Sequence, residues 1–345
     1  MKKLAVYTTL FTFYYLLIEV GLRLFYFGFA TCIFNPYHSF IKKHYSELAP
    51  IFAQNTREEK DVKNILILGG SVVSTNWSHL ETRLEKLLQP HLSKGSAIRV
   101  YNAAAPANTS LDNLIKYKLV ANQHFDLVIY YEAINENRFN NVPSELFRED
   151  YSHVVWYRDV HLIVQHTELK YTVIPYTLHF IYKKLKHLYT KPASLDMNSV
   201  PFDYVTHGSE IKTSVSYRKN IQELINIAKS RQEPLLLMSY ASFFPEGVHL
   251  TGTETDKSYF GKCKYQSSIS IWGTPENVQK GIKVHNDQLR ELVALNKISF
   301  LDMDVALPRN KENFCDICHL REETGVQQFA NILKDHIFSE HLLGL

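Results

Sequence analysis

The chain has 345 residues, 45% of them hydrophobic and 21% charged. That is enough apolar material for a real core, so a disordered or fibrous reading is excluded. A net charge of +3 is too small an excess for a phosphate-binding face, which argues against a nucleic-acid partner.

The N-terminus reads as a membrane anchor. Met1, Lys2 and Lys3 precede the uncharged run LAVYTTLFTFYYLLI, and apolar character resumes after Glu19 and Arg23 as LFYFGFATCIF, ending at Phe34. The stretch is roughly 30 residues long, more than the ~20 needed to cross a bilayer. A cleaved signal has a shorter apolar core with small residues before the cut, and Phe29 and Thr31 suit a lipoprotein-type cut before Cys32 poorly. The expectation is an uncleaved, single-pass signal anchor over 1–34 with an extracytoplasmic domain. Glu19 and Arg23, four apart on one helix face, are expected to pair near the interface or against a partner.

Residues 35–61 are polar and read as a linker. From residue 62 short apolar runs alternate with helical spacing. Strands are expected at 64–68 (NILIL), 98–102, 126–131 (DLVIYY), 234–240 and 298–302, with helices at 80–88, 111–121, 217–230, 278–295 and 322–337. Such alternation implies a five-stranded, mainly parallel sheet with helices on both faces. Reactive residues should then follow the carboxyl ends of strands. The alternation is interrupted over 138–214, a helical insertion rich in aromatic, His and Lys residues and broken at Pro175. It reads as a subdomain packed on the sheet, or as a lid or membrane-surface element. A second irregular stretch, 243–274, reads as a long loop.

Four strand ends carry candidate chemistry. Ser71 follows the first strand in Leu68-Gly69-Gly70-Ser71, where its hydroxyl can face the crevice. Alone, a serine there is as well explained as a helix cap. Asp316-Ile317-Cys318-His319 lies between the last strand and the closing helix, a spacing that lets an acid orient an imidazole base. Alone, it reads more simply as a helix-entry loop with a solvated Asp and a satisfied His. The segments NAAAPANTS (102–110) and YEAINEN (131–137) place donors at the other two strand ends, Asn135 being able to give a side-chain amide to an oxyanion.

Taken together, in this order, these segments resemble the four blocks of the SGNH hydrolases, also called GDSL esterases and lipases. The resemblance covers residues 62–137 and 215–338. It implies a three-layer α/β/α, flavodoxin-like domain over 62–345, with Ser71 as nucleophile, His319 as base and Asp316 orienting it. It further implies an oxyanion hole from Ser71, Ala107 and Asn135, and no metal or organic cofactor. Four positions depart from the pattern: Gly70 stands for the usual Asp, Ala107 for Gly, Ala133 for Gly and Glu136 for Asp. None removes a catalytic side chain, though the methyl of Ala107 is expected to narrow the pocket.

The implied activity is hydrolysis of an ester or O-acetyl substrate; acetyl groups on envelope glycans, lipid esters and small esters are all open, and the anchor and aromatic insertion favour a substrate at the membrane or envelope. Alternatives are an O-acyltransferase that modifies an envelope polysaccharide, and a non-catalytic scaffold of the same fold that binds a partner. Cys315 to His319 also spells C-x-x-C-H, a c-type haem attachment pattern, at a place where Asp316 and His319 already have roles. With three cysteines outside the anchor no disulfide framework is suggested. Buried thiols are the expectation for Cys315 and Cys318, over pairing with each other or metal binding.

Overall fold

The structure is a computed structural model that describes residues 2–28, 35–59, 61–190, 195–196 and 202–344. Cys32 and the end of the expected anchor lie outside them. Leaving aside helices of four residues or fewer and 3₁₀ turns, the elements in chain order are α1 (Lys2–Phe27), α2 (Pro36–His44), β1 (Val62–Gly69), α3 (Leu80–Leu88) and β2 (Ala97–Asn102). There follow α4 (Ser110–Leu119), β3 (Leu127–Tyr131), α5 (Glu136–Asn140), α6 (Val155–Gln165) and α7 (Ile174–Thr190). The last are α8 (Thr213–Arg231), β4 (Leu235–Met238), α9 (Pro275–Asn296), β5 (Ser299–Leu301) and α10 (Gly325–Ser339). The chain divides into two compact units, Met1–Ala49 with Tyr151–Ser199, and Pro50–Asp150 with Val200–Leu345.

The larger unit holds the five-stranded sheet, in the order β2-β1-β3-β4-β5 with every neighbouring pair parallel. This is the α/β architecture expected from the alternation. The apolar run Ile65–Leu68 has no solvent exposure at all, as a strand covered on both faces requires. Each such side chain contributes about 1.5–3 kcal/mol by burial. Local sequence sets the helix ends. Thr109 and Asp112 form a capping box at the start of α4. Thr274 caps α9 ahead of Pro275, and Lys297 closes that helix in the left-handed region. Because β1 has β2 on one side and β3 on the other, the loops that leave β1 and β3 part at the topological switch point, where such sheets bind ligands.

The smaller unit is helical. α1 is long and apolar enough to cross a membrane by length and composition, and its side chains from Leu4 to Val20 are largely exposed. Glu19 is the exception. Its carboxylate accepts hydrogen bonds from Arg23 Nε at 2.7 Å, Thr172 Oγ1 at 2.7 Å and Val173 N at 2.9 Å. The pair with Arg23 thus forms as the spacing suggests, and a segment of the insertion completes it. Part of the stretch read as a linker is folded: α2 buries Phe40 and Ile41, and Tyr45 and Leu48 follow it into the interior. The insertion breaks before Pro175, over residues 166–173. Pro175 is the second residue of α7, where its missing N–H has no helical acceptor to lose.

Candidate active site

Ser71 opens a 3₁₀ turn directly after β1 and Gly70. Its Oγ lies 2.8 Å from His319 Nε2, across 248 residues of sequence. His319 Nδ1 lies 2.7 Å from Asp316 Oδ2. All three residues are buried, with Ser71 6% exposed. Asp316 is held by its own turn: Oδ1 accepts the backbone N–H of His319 at 2.8 Å and of Cys318 at 2.9 Å. Oδ2 also accepts the backbone N–H of Ser267 at 2.7 Å. Burial by itself would raise this carboxyl. The His319 ring and the backbone N–H donors outweigh it and hold Asp316 below the ordinary carboxylate value.

Asn135 stands between β3 and α5. Its Nδ2 donates to Asn108 O at 3.0 Å, and its Oδ1 accepts from Trp272 Nε1 at 3.1 Å. These bonds fix the amide plane. Asn108 belongs to the loop after β2, which a fully buried Lys116 holds from below through Ala103 O at 2.7 Å and Asn108 Oδ1. Ala107, exposed in this loop, has φ +63°. That is the left-handed conformation glycine adopts freely and alanine at a cost of about 1–2 kcal/mol.

Several residues at the site were not singled out from the sequence. Trp77 lies against His319, ring centroids 4.0 Å apart, and Tyr265 stacks on Trp77 at 4.6 Å. The 243–274 loop brings Tyr265, Ser267 and Trp272 to the site, and a disulfide from Cys263 to Cys315 ties it down. This corrects the expectation of a buried Cys315 thiol: the partner is 52 residues away, and nothing in the spacing marks it. Cys318 is a buried free thiol, as expected. With Cys315 paired, C-x-x-C-H no longer presents two thiols to a haem. Glu132, at the end of β3, is also buried, and burial pushes its carboxyl well up. Among the described residues one cluster brings potential metal ligands within 4.8 Å of one another, Asp316, Cys318 and His319. Both ring nitrogens of His319 are already engaged, by Ser71 and Asp316, so a metal would have to break the hydrogen-bond chain.

A hydroxyl, an imidazole and a buried carboxylate joined by hydrogen bonds are able to generate a nucleophile.

No family model matches the chain, and no curated protein matches it. Solved structures with similarity include an acetylxylan esterase from Geobacillus stearothermophilus, at 13% identity over 82% of this chain and 94% of that one, TM-score 0.40. A lipase/acylhydrolase from Enterococcus faecalis is 13% identical over 81% and 96%, TM-score 0.42. A GDSL-like lipase from Bacteroides thetaiotaomicron is 14% identical over 90% and 100%, TM-score 0.44. Likeness at this level carries no argument about activity.

Proposed function

We propose that the larger unit is a serine ester hydrolase of the SGNH/GDSL type, anchored to a membrane by α1. The observation that carries the reading is the hydrogen-bond chain Ser71 Oγ, His319 Nε2, His319 Nδ1, Asp316 Oδ2, with links of 2.8 and 2.7 Å. In this reading Ser71 Oγ attacks the acyl carbon while His319 Nε2 takes its proton. Asp316 stabilises the imidazolium. The backbone N–H groups of Ser71 and Ala107 and the amide of Asn135 receive the oxyanion. His319 then protonates the leaving alcohol, and water, deprotonated by the same nitrogen, releases the acid.

The substrate class is an ester or O-acetyl group. Retention of α1 is supported by Glu19, whose carboxylate is built into the smaller unit through Val173 N and would be missing from a cleaved product. An extracytoplasmic location is supported by the Cys263–Cys315 disulfide, since such bonds persist in oxidising compartments.

The test is active-site labelling of the detergent-solubilised protein with a fluorophosphonate. The adduct is expected on Ser71, abolished in Ser71→Ala and strongly reduced in His319→Ala. Folded protein that takes no label at Ser71 overturns the reading.

A further inference from the structure

Gly70 has φ −98° and ψ −158°, extended backbone that any residue adopts. Its lack of a side chain is therefore not required by the chain's own conformation. A Cβ placed there would fall 1.9 Å from Glu132 Oε2 and 2.9 Å from Asn135 Nδ2. What the glycine leaves room for is a carboxyl group reaching across from the end of β3.

That carboxyl is 1% exposed. Its Oε1 accepts the backbone N–H of Asn135 at 2.8 Å, and its Oε2 lies beside position 70, where the Asn135 amide also points. Burying an acid is unfavourable unless its bonds compensate, so filling space alone would be met better by an apolar side chain. We infer that Glu132 is a positioning residue for Asn135, holding the residue proposed to meet the oxyanion from the space a side chain at position 70 would occupy. The inference rests on the serine hydrolase reading above. Burial pushes this carboxyl well above its ordinary value, and the backbone N–H of Asn135 that it accepts works the other way.

Two matched comparisons test this on the full chain, with a chromogenic acetyl ester and the fluorophosphonate adduct as readouts. Glu132→Gln keeps the length and an acceptor for the Asn135 N–H, and should hold kcat within about threefold. Glu132→Asp is one methylene short, and should lower kcat on the order of 10- to 100-fold at nearly unchanged KM, as expected when an oxyanion donor is misplaced rather than deleted. Gly70→Ala should lower kcat in the parent chain. Its penalty should shrink severalfold once Glu132→Ala has cleared the space, so that the two losses do not multiply.

An Asp variant equal to the parent overturns the inference. So does a rise in KM alone, or a full multiplication of the Gly70→Ala and Glu132→Ala losses. If the alanine variants do not fold, the Gln and Asp pair decides. A parent chain that neither turns over ester nor takes label sinks the hydrolase reading and this one together. An active parent with indifferent variants sinks only this one.

Discussion

Asp316 shows how a fully buried acid stays charged. Desolvation works against the carboxylate, and the His319 ring with two N–H donors from the same turn reverses the balance. The sign for stability follows from the depressed folded value. Its contribution is complete above the unfolded-state value near ~3.9 and is lost as pH falls through the lower folded one. Unfolding free energies from urea titrations between pH 5 and 3 should therefore drop more steeply in the parent than in Asp316→Asn. At neutral pH the same substitution leaves His319 Nδ1 facing an amide that can present its N–H side, which disfavours the productive tautomer. The expected result is a kcat loss on the order of 10³- to 10⁴-fold with correct folding retained, read by steady-state kinetics alongside circular dichroism. Ser71 and Asn135 were candidates because each follows a strand end by a few residues, whereas Asp316 and His319 come 15 and 18 residues after β5 ends at Leu301 and were candidates by their own spacing. Glu132 was not. Its meaning depends on an empty position on the neighbouring strand, and no spacing along the chain encodes that.

Between strands, the 243–274 loop carries more of the site than its irregular sequence suggests. It contributes Ser267 N–H to Asp316, Gln266 Nε2 to Cys315 O at 2.7 Å, and Trp272 to Asn135. The disulfide fixes it beside the acid. Cys263→Ser, paired with Cys315→Ser to avoid a stray thiol, should cost about 2–4 kcal/mol in urea unfolding and should lower kcat, because the Ser267 bond loses its tether. Helix α9 makes a different demand. His285 is buried there with Nε2 3.1 Å from Thr213 Oγ1, and burial lowers its pKa to about 3. Here the unfolded chain binds the extra proton, since an exposed His titrates near ~6.5. Stability is thus full above that value and falls as pH drops from it toward 3, with the slope of one proton. His285→Gln should flatten the unfolding free energy between pH 6.5 and 5. The strands and long helices of this unit followed from apolar runs and helical spacing, with boundaries shifted by a few residues. The break before α7 did not, because Pro175 marks the first turn of a helix as readily as its interruption.

The two compact units divide the chain in a way its linear order hides. The smaller one joins the first 49 residues to a segment that begins at Tyr151, so the sequence suggests an anchor and a separate insertion where the fold has one body. Hydropathy could locate α1 but not this pairing, which turns on one carboxylate. Glu19 accepts from Arg23, Thr172 and Val173 together. Removing it leaves the Val173 N–H without its acceptor and takes one bond from the Arg23 guanidinium, which keeps Tyr171 O, a loss below the roughly 3–5 kcal/mol of breaking a fully buried ion pair. Glu19→Ala should therefore open the 151–190 segment to limited proteolysis in detergent, with cleavage mapped by mass spectrometry. Glu19→Gln, which keeps an acceptor for Val173 N–H, should protect it in part. The Ser71 adduct is the internal reference, since every atom of the Ser71, His319 and Asp316 chain belongs to the larger unit. Labelling preserved in both variants, with proteolysis confined to the smaller unit, is the outcome expected if that unit folds as a separate body. Equal protease resistance in Glu19→Ala and the parent would mean that Glu19 does not hold the smaller unit together.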